Sequence, residues 1–251
     1  MAGSDKIVER WYTERLQREV TFVRWGHFGQ PLLLFPTAGG DAEEVERMWL
    51  VRSLMPLIEA GLLKVYSCDS VAGRALVAQE GSPQHRMWLQ DQYHRYVRHE
   101  VVPAIHEDCG GQRLPIWTAG ASIGAFHAVA TLCRFPDVFT KAIGMSGSYN
   151  LLRFFGVGPE AMTDHFFVSS PIHFLPTLGG PHLDLLRKRF VLLMLGEGRA
   201  ENLAESWAMA NALGRRGVPN YVDSWGPDWH HDWPSWRVML PKTLTAWTQR
   251  G

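Results

Sequence analysis

Residues 115–130 read Pro-Ile-Trp-Thr-Ala-Gly-Ala-Ser-Ile-Gly-Ala-Phe-His-Ala-Val-Ala. An apolar run of strand length enters Gly120-Ala121-Ser122-Ile123-Gly124, and a stretch of small helix-forming residues leaves it. A bare G-x-S-x-G is a weak signal, but a strand before it and a helix after it are the setting that a nucleophile elbow requires. There the serine occupies a sharp strand-to-helix turn in strained dihedrals, and a side chain two positions to either side would crowd it. The competing reading is a glycine-rich turn whose serine only caps the helix, and the strand before and helix after weigh against it. Ser122 is therefore the candidate nucleophile.

Working outward, the pattern alternates. Residues 20–25 and 31–36 are apolar runs on either side of Gly26-His27-Phe28-Gly29-Gln30 and predict an antiparallel hairpin that opens the sheet. Apolar positions at helical spacing over 43–60, closed by Gly61, precede a strand over 62–68. Ser82-Pro83 has the form of an N-cap with proline at the first helical position. It launches a long helix over 84–107 that stops at Cys109-Gly110-Gly111 and is kinked by Pro103. Beyond the elbow come strands over 140–146, 190–196 and 220–225 and helices over 201–217 and 234–249. This alternation predicts an α/β fold, a mostly parallel central sheet with helices on both faces. Residues 149–186, with Pro159, Pro171, Pro176 and Pro181 and scattered aromatics, break the rhythm and read as a lid-like insertion over the active site. At 251 residues, one domain spanning 1–251 is expected.

Lys+Arg and Asp+Glu both total 25, and no basic run stands out, so neither nucleic acid nor an anionic membrane is an expected partner. Small neutral substrates fit better, and a homo-oligomer is left open. Charges within residues 1–10 interrupt what would be the apolar core of a signal peptide, and no run approaches 18 apolar residues, so a cytoplasmic location is expected. Cys68, Cys109 and Cys133 are odd in number and widely spaced, which signals buried thiols and neither disulfides nor a zinc site. The 11 tryptophans are a roughly threefold excess over ordinary composition, and some are expected to line a pocket.

A serine hydroxyl needs a base to take its proton and an acid to orient that base. In this arrangement the chain order is Ser, acid, His. The loop after the last strand, Trp225-Gly226-Pro227-Asp228-Trp229-His230-His231-Asp232-Trp233-Pro234-Ser235-Trp236, lies where the base belongs, and it offers two adjacent histidines. The chain resembles the putative-esterase branch of the α/β hydrolases, which includes esterase D, feruloyl esterases and bacterial mycolyltransferases. In that branch the base begins a His-x-Trp-x-x-Trp pattern, matched by His231, Trp233 and Trp236. The resemblance thus implies His231 as base, with His230 in reserve. It also implies an acid a few positions beyond a Gly-x-Gly turn, which places Glu201 first, Glu197 second and Glu205, inside the helix, third.

Acyl transfer further needs two backbone N–H donors for the oxyanion. Ile123 supplies one by its position after the serine. The resemblance places the other in Phe35-Pro36-Thr37-Ala38-Gly39-Gly40-Asp41, where Ala38 aligns with the donor. Pro36-Thr37 replaces the usual His-Gly there, so Thr37 competes with Ala38. Thr37 and Trp233 are the candidate substrate contacts.

The expectation is a cofactor-independent serine esterase, with no metal, acting on small neutral short-acyl or aryl esters through an acyl-enzyme. Acyl transfer or thioester cleavage would use the same residues, and a non-catalytic binding module on this scaffold is the alternative from another class. His85, His94, His99 and His106 share the long helix without i,i+4 spacing and do not read as metal ligands. His127 is expected to pack behind the elbow. Asp41 and Asp69 follow strands at the edge of the sheet where clefts form, though solvated loop carboxylates would look the same. Phe154, Phe155, Phe166, Phe167 and Phe174 would serve equally as an apolar substrate wall or as the insertion's own small core.

Overall fold

The computed structural model describes residues 6–249; part of the charged N-terminal stretch, residues 1–5, lies outside the described residues. The strands are β1 (Ile7–Thr13), β2 (Arg18–Trp25), β3 (Gln30–Phe35), β4 (Leu63–Cys68), β5 (Ile116–Ala121), β6 (Phe139–Met145), β7 (Phe190–Leu195) and β8 (Asn220–Ser224). They form one sheet in the order β1-β2-β4-β3-β5-β6-β7-β8. The pairs β1·β2 and β2·β4 are antiparallel, and every pair from β4·β3 to β7·β8 is parallel. Central strands read as unbroken apolar runs because both of their faces are covered.

Helices α1 (Glu44–Arg47) and α2 (Leu50–Glu59) are separated by Trp49 at φ 66°, so the single helix expected over 43–60 is broken there. Next come α3 (Val71–Val77) and α4 (Pro83–Tyr96), a π-helical turn at Val97–Val101, α5 (Val102–Asp108) and the elbow helix α6 (Ile123–Arg134). Ser82 caps α4 as expected, accepting the His85 N–H at 3.1 Å. The disturbance due to Pro103 lies on its N-terminal side. Lacking an N–H, the proline breaks the ladder, and the widened turn before it absorbs the mismatch.

Short helices α7 (Leu152–Phe155), α8 (Asp164–Phe167), α9 (Pro171–Phe174) and α10 (Gly180–Leu186) follow, then α11 (Leu203–Gly214) and α12 (Trp233–Thr248). Leu54 and Ile58 of α2 pack with Met239, Leu240 and Leu244 of α12 on one face of the sheet. Tyr93, Ile105, Val129 and Met209, from α4, α5, α6 and α11, fill the other.

One expectation is corrected. The hairpin is β1 with β2, and the runs 20–25 and 31–36 do not pair, because β4 lies between them. Strand β3 is paired to β4 and β5 on both sides, so it has no edge to offer β2. Strand β1 went unread because as an edge strand it is exposed at alternate and intervening positions alike, which erases the period-2 signal.

The segment 149–186 divides its contacts. Phe174, Leu175, Leu183 and Leu186 enter the main core. Phe155 and Phe166 pack instead with Ile123 and Phe126 of the elbow helix. Cys68 and Cys133 are buried free thiols, while Cys109 is half-buried. Among the described residues no helix is long and apolar enough to cross a membrane.

Candidate active site

The parallel strands all end on one edge of the sheet, and the loops leaving β3, β5, β6, β7 and β8 carry the residues singled out by the sequence. Ser122 links β5 to α6 at φ 58°, ψ −121°, a conformation strained for any residue with a Cβ. Its flanking glycines are required. A Cβ on Gly120 would strike the Gly124 carbonyl, and one on Gly124 would lie 2.5 Å from the Pro36 carbonyl oxygen. The elbow is thereby pressed against both the helix it starts and the loop after β3.

That loop is held from several sides. The Glu44 carboxylate accepts the Thr37 N–H at 2.7 Å and the Thr37 hydroxyl at 2.8 Å. Buried Asp69 accepts the Ala42 N–H at 3.0 Å and the Thr21 N–H at 2.8 Å, so it ties the loop to β2. Asp41 turns outward to Arg47. With the Thr37 N–H committed to Glu44, the Ala38 and Gly39 N–H groups have no protein acceptor among the described residues, and Ile123 opens α6 with its own N–H. The side chains of Ala38 and Ile123 also share an apolar cluster with Leu76, Leu152 and Phe154.

The turn after β7 and the loop after β8 are laced together. Glu197 N–H donates to Gly226 O at 2.9 Å, Gly198 N–H to Trp229 O at 2.9 Å, and His231 N–H to Arg199 O at 3.1 Å. The Arg199 N–H donates to His230 Nδ1 at 3.0 Å. Gly196 and Gly198 permit this approach, since a Cβ on either would collide with Trp229 or His230. His230 is thus a strap whose Nδ1 is occupied, whereas the His231 ring makes no hydrogen bond among the described residues and sits edge-on to Trp236, 5.3 Å between centroids. Burial lowers the His231 pKa, and nearby Asp232 opposes that.

The three acids separate cleanly. Exposed Glu197 turns to the Ser224 hydroxyl, 2.6 Å away at the sheet edge. Glu205 accepts the Tyr149 and Asn150 N–H groups and pairs with Arg153. Glu201 faces the elbow: its Oε1 accepts the Ser146 hydroxyl at 2.5 Å and the Gly196 N–H at 3.2 Å. Burial raises the Glu201 pKa, and those two hydrogen bonds oppose the rise.

Among the described residues no direct hydrogen bond joins Ser122 to His231 or His231 to Glu201. Such contacts commonly tighten only when substrate binds. The link runs through residues that the sequence reading did not assign. The Trp236 N–H donates to Ser146 Oγ at 2.9 Å, Ser146 donates to Glu201, and the Ser122 N–H donates to the carbonyl of Met145, next to Ser146. No local stretch of sequence marked Ser146, because its part depends on which strands are neighbours. Half-buried Trp233 packs edge-on against Trp236, 5.1 Å between centroids. No group of His, Cys, Asp and Glu among the described residues is arranged to hold a metal.

The family model described as "Putative esterase" matches residues 65–246. No curated protein matches the sequence. The structure is similar to a ferulic acid esterase, with 16% identity, 98% of each chain covered and a TM-score of 0.72. It is similar to a fluorophosphonate-binding serine hydrolase of Staphylococcus aureus, with 14% identity, 98% of each chain and a TM-score of 0.71. It also resembles MPT51 of Mycobacterium tuberculosis, with 16% identity, 97% of this chain, 98% of that one and a TM-score of 0.68. At these identities the likeness is one of fold, that of the α/β hydrolases.

Proposed function

The chain belongs to the putative esterase family and is an ester hydrolase, and from that premise we propose that it cleaves small neutral short-acyl or aryl carboxylic esters through an acyl-enzyme on Ser122. The observation that carries this reading is the strained elbow: Ser122 at φ 58° after the C-terminal end of β5, with Ile123 opening α6 directly behind it and Ala38 packed against the apolar cluster that holds Ile123. Strain of about 1–3 kcal/mol persists at such a position only where the surroundings enforce it.

In the proposed cycle Ser122 Oγ attacks the ester carbonyl as its proton passes to the His231 imidazole. The Ile123 and Ala38 N–H groups hold the oxyanion of the tetrahedral intermediate. Collapse breaks the acyl–oxygen bond, and the imidazolium returns the proton to the leaving alcohol. Water, deprotonated by the same imidazole, then attacks the acyl-enzyme, and Ser122 leaves with that proton. Glu201 orients the imidazole and stabilises its charged form. Burial lowers the His231 pKa and so favours the neutral imidazole that base catalysis needs. We place the acyl group against the wall of Leu76, Leu152 and Phe154, which packs with Ile123 and Ala38, and propose Thr37 and Trp233 as further substrate contacts. No cofactor takes part.

The test is hydrolysis of p-nitrophenyl esters across acyl lengths, with intact-mass analysis after an organophosphonate probe, for wild type and Ser122→Ala. Turnover that falls off with acyl length and a single adduct, both lost in Ser122→Ala, is the expected result. Folded wild-type protein that gives neither turnover nor adduct would return the weight to a non-catalytic binding module.

A further inference from the structure

We propose that Ser146, held by the indole N–H of Trp236, is a positioning residue that sets the Glu201 carboxylate for its work on His231; this rests on the reading of Ser122, His231 and Glu201 given above. The sheet order puts Ser146 between the strand that leads to the nucleophile and the strand that leads to the acid. Strand β6 runs between β5, which ends in the nucleophile, and β7, whose turn carries the acid. Ser146 closes β6, and its own N–H donates to the Met194 carbonyl of β7 at 2.8 Å. The residue before it, Met145, accepts the Ser122 N–H at 2.9 Å.

Its hydroxyl both donates and accepts. It donates to Glu201 Oε1 at 2.5 Å and accepts from Trp236 Nε1 at 2.9 Å, with both Ser146 and Trp236 under 5% exposed. With the Gly196 N–H on the same carboxylate oxygen, Oε1 has two donors and Oε2 is left for the imidazole. The indole that feeds this chain also packs edge-on against the His231 ring, so one side chain fixes the plane of the base and the rotor of the serine.

Backbone preference alone does not explain a serine here. Ser146 sits at φ 47°, in the left-handed region where glycine is relaxed and serine is strained. Only the hydroxyl offsets that strain, and it points to the acid. The charged neighbours of Glu201 are Asp232, which raises its pKa, and His230, which lowers it, both on the loop after β8. Removing the Ser146 hydroxyl leaves them in place and deletes a hydrogen bond that favours the carboxylate.

The experiment compares Ser146→Gly, Ser146→Ala, Ser146→Thr and Trp236→Phe with wild type and Ser122→Ala, on a short-acyl p-nitrophenyl ester over a range of pH. Ser146→Gly relieves the backbone strain, so its Tm is expected to hold or rise while kcat falls about 10- to 100-fold at unchanged KM. The acid limb of its kcat/KM profile should move to higher pH. Ser146→Thr restores the hydroxyl but puts a β-branch at positive φ, so it should recover part of kcat at a lower Tm than Ser146→Gly, and Trp236→Phe, which keeps a ring against His231, should shift the limb the same way by less. Wild-type kcat and pH profile in folded Ser146→Gly would overturn the proposal, and so would a change confined to KM. Turnover surviving in Ser122→Ala would instead overturn the underlying assignment of the nucleophile, so the two failures are distinguishable.

Discussion

At Ser122 the backbone conflicts with its own residue type. A φ of 58° with ψ −121° suits glycine, and serine is retained there for its hydroxyl. Ser122→Gly is therefore expected to abolish ester turnover while raising unfolding free energy by about 1 kcal/mol, measured by urea denaturation. A drop in stability would mean that the elbow is not strained in solution. The acid supplies a second contrast. Glu201 is half-buried and holds the Ser146 hydroxyl and the Gly196 N–H, whereas Glu197 is exposed and holds Ser224. Glu201→Gln should lower kcat by about 10²-fold or more and Glu197→Gln by less than about threefold. The reverse order would give the acid's role to Glu197. Ser122 was legible from its place between a strand and a helix and the loops for base and acid from their places after later strands, while the choice of His231 and Glu201 within those loops came from the family resemblance. Ser146 and Glu44 escaped the sequence reading because their meaning depends on which strands are neighbours, and strand order is not written in any local stretch.

Elements were legible where their period was strong. The strands around the elbow and the capped helix after Ser82 declare themselves through apolar runs and N-cap chemistry. The edge strand β1, the short helix α3 and the break at Trp49 do not, because exposure removes the period and a four- to seven-residue helix presents barely two turns of it. The loop between β3 and α1 is the element with the most consequence for chemistry. Its sequence departs from the His-Gly form, and the Glu44 carboxylate takes over the task of shaping it by accepting both the N–H and the hydroxyl of Thr37. Glu44→Gln turns one acceptor oxygen into a donor facing a donor. The expected outcome is a fall in kcat of about 10-fold, a smaller change in KM, and a weaker affinity for a phosphonate that mimics the oxyanion. An equal loss in KM alone would show that the clamp shapes ground-state binding and not the oxyanion hole.

Across the whole molecule, the elbow helix is seated on a neutral histidine pair that the chemistry does not use. His94 of α4 and His127 of α6 are fully buried, with Nε2 and Nδ1 3.2 Å apart, and they pack among Phe35, Tyr93 and Phe126. Burial lowers the His127 pKa to about 3 and holds that of His94 well below the usual value, with His127 and Arg134 adding to the effect on His94. In the unfolded chain both titrate near 6.5. The unfolded state therefore binds more protons than the folded one between these limits, and the stability the pair allows is complete above pH 6.5 and is lost as pH falls toward 3. Each histidine contributes a slope of up to about 1.4 kcal/mol per pH unit in that window. Urea denaturation from pH 7.5 to 4.5 should show the decline. A double variant, His94→Gln with His127→Asn, keeps polar atoms near the facing nitrogens without titrating, and it should flatten the slope by about two protons even where its absolute stability is lower. Burial lowers His99, His173 and His231 in the same direction, so part of the slope should remain in the variant. Identical slopes in the two proteins would place the acid sensitivity elsewhere in the fold.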